Sequence, residues 1–272
     1  MGRLPLVRMQ LSRLQEGFTI IELVTVIMVL GILSVGTTRF LNDASNGYAS
    51  TVNRAELAGD TRSAISRMLR EVREALPNSI RVSASGDCLE YIPVTGGSIY
   101  LSAPIGVSAT SLMAVPLDSA LINTSSRIAV SPQSTPYSLT TGSAVSPVIT
   151  VNAPNASNEV RIDFAAAHQF PRESAQQRFY VVGNPVSYCI SGDTLWRYTN
   201  YGFLASQPGV ATLPASTPNR TMLAQSVSNT LPHFIVSGAS LSRNAMVEID
   251  IEFANRGDLV RISQLVHMRN LP

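Results

Sequence analysis

The chain contains no lysine: all 20 of its basic residues are arginine, against 18 acids and three histidines. The lysine gap is a feature of composition and points to no activity. Arg3, Arg8, Arg13 and Glu16 lie before Gly17, and beyond it 17 arginines face 17 acids. That balance withholds the basic surface on which nucleic-acid affinity rests, so no nucleic-acid partner is expected. His168, His233 and His267 stand at no metal-ligand spacing and read as packing or surface residues. No nucleophile-elbow serine, no phosphate-cradling glycine loop and no Cys-x-x-Cys pair occurs. Catalytic, metal and cofactor sites are therefore all expected to be absent, and an enzyme is the remote reading.

Charge is missing from one long run. Between Phe18 and Gly36 the only charged side chain is Glu22. A helix of that length spans about 28 Å, near the thickness of a bilayer core. A carboxylate inside such a run costs roughly 2.5–3.5 kcal/mol at mid-membrane, so a plain anchor would not carry one. A positive charge on a neighbouring molecule would neutralise it. The three arginines before the run hold that end in the cytoplasm and send the remainder outward. A conventional signal peptide is the competing reading, but it would be cut after its apolar core, at small residues.

Gly17-Phe18-Thr19-x-x-Glu22, with a basic leader before it and an apolar helix behind it, resembles the class III signal of type IV pilins and type II secretion pseudopilins. The resemblance implies cleavage by a prepilin peptidase between Gly17 and Phe18, and N-methylation of Phe18. It gives Glu22 the role of pairing with the terminal amine of an adjacent subunit during assembly. Gly31 matches a glycine usual in this helix. Arg39 stands where major pilins commonly carry proline, which points to a minor subunit; it either snorkels to headgroups or pairs with a neighbour's acid.

The stretch from Gly36 to Gly47 holds poor helix formers and is expected to bend or melt. Beyond Tyr48, Ile65, Met68, Leu69, Val72 and Leu76 recur at helical spacing and define one apolar face. Arg67–Glu71 and Arg70–Glu74 read as exposed i,i+4 pairs, and Pro77 as the helix stop. The expected organisation is a leader at 1–17, an assembly helix at 18–36, its outer half at 37–77 and a β-rich head at 78–272. The fold class is α+β, a long helix packed on an antiparallel sheet. Cys88 and Cys189 lie in the exported part, where an oxidising compartment allows a disulfide worth about 4.7 kcal/mol in the chain-entropy model. Two buried free thiols are the alternative.

Strands are expected at 81–83, 88–93, 160–164, 178–182, 186–190 and 194–198, with Ser191-Gly192-Asp193 as a hairpin turn. Val247, Ile249, Ile251 and Phe253 alternate with Glu248, Asp250 and Glu252, a half-buried strand that turns through Asn255-Arg256-Gly257-Asp258 into 259–268. Residues 102–158 hold only Asp118 and Arg127 as charges and read as an insertion of short strands and long loops. Glu248, Asp250 and Glu252 form either a solvated face or a cation site, with solvation preferred. Arg256-Gly257-Asp258 reads as a turn rather than a recognition motif. Tyr180, Tyr188, Trp196 and Tyr198 are core aromatics or, alternatively, a sugar-binding surface.

Asn78–Val82, Gln177–Val182, Pro185–Cys189, Leu195–Tyr198 and the segment 266–272 resemble the minor pilin-like proteins of the mannose-sensitive haemagglutinin (MSHA) pilus. That likeness implies an inner-membrane protein with a periplasmic head, later part of a surface filament at its tip or initiation complex. Its partners would be the prepilin peptidase, other major and minor pilins, the inner-membrane assembly platform and the lipid bilayer. A minor pseudopilin of type II secretion and a pilus-borne adhesin or carbohydrate-binding head are the alternatives.

Overall fold

A computed structural model of the chain describes residues 17–133, 136–228, 232–237, 246–255 and 257–267. The expected leader, Arg256, Met268 and the terminal segment 269–272 lie outside the described residues, apart from Gly17. The chain divides into two compact units, one reaching to Val52 and one starting at Asn53. Helix α1 (Ile20–Arg73) contributes to both.

In the first unit α1 stays helical through the stretch expected to melt. The threonines there do not compete with the helix. Thr37 Oγ1 donates to the Leu33 carbonyl at 2.7 Å, Thr38 to Ser34 at 2.8 Å and Thr51 to Gly47 at 2.9 Å. Each hydroxyl is thereby satisfied inside the turn below it, which weak residue propensities do not override.

In the second unit Ala64, Ile65, Met68 and Val72 of α1 enter one core with residues from two antiparallel sheets. Four of the five residues forecast as its apolar face are buried, and Leu69 packs at the margin. The helix ends at Arg73, before Pro77. Ala75 forms a β-bridge with Pro93, and the Leu76 amide donates to the Ile92 carbonyl at 2.8 Å. Sheet hydrogen bonds therefore take over the backbone before proline can interrupt it.

The first sheet runs β1 (Arg81–Val82), β2 (Cys88–Tyr91), β9 (Val186–Ser191), β10 (Thr194–Tyr198) and β11 (Arg220–Ala224), adjacent in that order. Ser191 faces Thr194 across the expected Gly192-Asp193 turn, with Gly192 at φ +64°, a conformation suited to glycine. The second sheet is β12 (Phe234–Ser237), β13 (Met246–Asn255) and β14 (Asp258–His267). The β13–β14 register is unbroken over ten pairs.

The expectation of a simple sheet needs correction. Six strands close into a barrel: β3 (Val94–Ser102), β4 (Ala109–Ala114), β7 (Val160–His168), β6 (Val145–Val151), β5 (Arg127–Ala129) and β8 (Arg178–Val182). Its core holds Tyr100, Leu112, Ile128, Ile149, Ile162 and Phe179, among others. The low-charge zone 102–158 is thus half of a closed barrel, which has no free strand edge to guard with charges. The whole barrel is spliced between β2 and β9, which pair directly with each other. Cys88 sits opposite Cys189 in that pairing, and the two are joined at 2.04 Å. The disulfide staples the strands from which the barrel leaves and to which it returns.

Candidate functional site: an uncovered helix and two clasped carboxylates

The start of α1 is built as a cap. The Glu22 amide donates to Thr19 Oγ1 at 3.4 Å and to the Thr19 carbonyl at 3.1 Å. Thr19-x-x-Glu22 has the spacing of a capping box, and a carboxylate in the first turn favours the positive end of the helix dipole. Glu22 is exposed, and among the described residues its carboxylate has no ion-pair partner. Phe18, just before the cap, is 82% exposed.

The helix that follows is uncovered. Its most apolar 18-residue window has a mean hydropathy of 2.3, none of it is buried within the chain, and it is long and apolar enough to cross a membrane. Ile27, Met28, Leu30, Ile32 and Leu33 all remain exposed. A Cβ built at Gly31 or Gly36 would meet nothing within 4 Å, so no contact among the described residues demands glycine there. Arg39 is exposed and outside every ion pair of the described residues.

Sequence reasoning missed two carboxylates under the second unit's sheets. Glu71 is no exposed helix charge. Its Oε2 accepts from Tyr91 Oη, from Tyr188 Oη at 2.6 Å and from Arg197 Nε at 3.0 Å, while Oε1 accepts from Arg67 at 2.9 Å. Burial pushes its pKa up, but the hydroxyls of Tyr188 and Tyr91 and the two arginines outweigh that and hold it at about 2. Arg70–Glu74 forms no ion pair among the described residues. Glu90, fully buried, receives Arg81 Nε at 2.5 Å and Tyr201 Oη at 3.1 Å. Here burial wins and the pKa rises despite Arg81. Arg81 also donates to the carbonyls of Leu204 and Ala205 at 2.8 and 2.7 Å and lies 3.6 Å over the Tyr137 ring. Both carboxylates are saturated with donors, so they clasp helix, sheet and loop together and present no free base. The periodicity of α1 carries no sign of Glu71's sheet partners, which lie 20 to 126 positions away.

The four candidate aromatics do not share a surface. Tyr188 is buried beneath α1, Tyr198 is buried with the disulfide, and Tyr180 packs beside the Leu76–Ile92 cluster. Trp196 has Arg220 stacked on its ring at 3.6 Å. Asp250 is held by Arg261 at 2.9 and 2.5 Å, and no group of three acids, histidines or cysteines among the described residues is placed to hold a metal. Asp258 is buried and accepts from Asn53 at 3.1 Å and Arg54 at 2.5 Å, which ties the β13–β14 turn to α1. His168 is buried with its Nε2 3.0 Å from the Ser143 carbonyl, and His233 is also buried.

Comparison with known proteins returns no match among family models, curated proteins or solved structures.

Proposed function

We propose that this chain is a minor pilin of an MSHA-type type IV pilus, similar to MshO, whose work is assembly rather than catalysis. The observation that carries the reading is the uncovered apolar helix whose first-turn carboxylate has no ion-pair partner among the described residues. Water does not tolerate so large an exposed apolar surface on a lone chain; a bilayer or other helices must cover it. The carboxylate then requires a cationic partner at the same depth. In this reading the prepilin peptidase cuts after Gly17 and methylates Phe18. The inner membrane stores the mature subunit with its head in the periplasm. The assembly platform transfers it to the filament, where Glu22 meets the amine of a neighbouring pilin. The head, with its spliced barrel, is bulky for a repeated lattice and suits a tip or initiation complex.

Substituting Glu22→Ala tests the assembly step. The variant should still enter the membrane and be processed, yet be missing from sheared filaments. Incorporation at the wild-type level would overturn the role given to Glu22.

A further inference from the structure

Among the described residues, six arginines of the second unit form ion pairs, and three of those that do not lie together on one face of α1. Arg62, Arg70 and Arg73 are exposed and belong to none of the ion pairs among the described residues, whereas Arg54 and Arg67 pair with Asp258 and Glu71. At about 100° per residue the three fall within roughly 80° of one another. That sector lies away from Ala64, Ile65, Met68 and Val72, which pack on the sheets.

The outer face of β13 has the opposite character. Val247, Ile249, Ile251 and Phe253 point into the same core as the helix, so Glu248, Asp250 and Glu252 point away from it. Arg261 is committed to Asp250, and His233 stands opposite Asp250 on the adjoining backbone. Glu248 and Glu252 form no ion pair among the described residues, although Arg261 lies directly across from Glu252 and acts on both at longer range. The basic and acidic rows thus lie on opposite sides of one helix-on-sheet layer and cannot meet within a molecule. Their spacing nonetheless matches. Arg62 to Arg70 is about 12 Å along a helix, and Glu248 to Glu252 is about 14 Å along a strand.

We propose that the Arg62–Arg70–Arg73 ridge docks on the Glu248–Glu252 row of a second copy of this chain. The contact is heterologous, the ridge of one copy meeting the row of the other. Planar guanidinium groups suit paired carboxylates, and an exposed contact of this kind weakens with salt. The proposal does not rest on the pilin reading.

Sedimentation equilibrium of the full chain in detergent micelles tests it. At about 0.05 M salt the wild type should self-associate, and at about 0.5 M that association should fall about tenfold or more. The variants R62E/R70E/R73E and E248R/E252R should each lose self-association at low salt, and an equimolar mixture of the two should regain it. The milder R62Q/R70Q/R73Q should show an intermediate loss, with an unchanged circular dichroism spectrum. A monomeric wild type at low salt, association indifferent to the reversals, or a mixture that stays dissociated would each overturn the proposal.

Discussion

One helix behaves in two ways along its length. From Ile20 to Val52 α1 buries no side chain against its own chain, whereas from Thr61 to Val72 it places five residues in a core. The difference lies in pattern. From Ile20 to Gly36 the helix is apolar on every side apart from Glu22, which suits a uniformly apolar environment. The later half is apolar on one stripe, which suits a sheet on one side and water on the other. Among the described residues nothing packs on the early segment, and under the proposed function a bilayer or neighbouring helices cover it and a cationic neighbour meets Glu22.

The contrast can be broken most forcefully at the disulfide. Replacing Cys88 and Cys189 with serine should destabilise the second unit by about 2–5 kcal/mol in chemical denaturation. Membrane extraction of the chain, which depends on the early half, should not change. Next in size is a matched pair of truncations. Met68→Ala removes a fully buried side chain and should cost about 2–5 kcal/mol in the same assay, while Met28→Ala, exposed, should leave that transition within about 0.5 kcal/mol. An equal cost at both positions would erase the distinction between the halves.

Acid titration sharpens the later half. Glu71 has a folded pKa of about 2, below its ordinary 4.5, so its contribution to stability is complete above about pH 4.5 and is lost as pH falls towards 2. Glu90 is raised, so its contribution has the opposite sign and improves as pH falls. Glu71→Gln should flatten the acid loss of stability between about pH 4.5 and 2, measured as the denaturation midpoint against pH. An unchanged slope would remove Glu71 from the account. The smallest effect is expected at the cap. Thr19→Ala should cost about 1 kcal/mol locally, seen as faster hydrogen exchange at the Glu22 and Leu23 amides, with the second unit unaffected.

What the sequence made legible follows the range of the interactions involved. Local periodicity located the buried stripe of α1, strands β8 and β10 to the residue, and the β13–β14 hairpin. The pairing of Cys88 with Cys189 was also foreseen. The barrel was not, because its closure joins β3 to β8 across some 80 positions, and β5 is only three residues long. The persistence of the helix through Thr37 and Thr38 escaped propensity reasoning because side-chain hydroxyls were satisfied within the helix itself. The Glu71 cluster escaped because Arg67 supplied a sufficient local partner. Its other partners, Tyr91, Tyr188 and Arg197, come from three different strands.

Under the proposed function the early half of α1 becomes an assembly helix once the residues before Phe18 are cut away. Mass spectrometry of the membrane-extracted protein, from cells with and without prepilin peptidase, tests it most directly. A mature form beginning at N-methylated Phe18, present only with the peptidase, is the predicted result. An uncut chain, or one cut beyond the apolar run, would contradict it and reduce Glu22 to the acidic member of a helix cap.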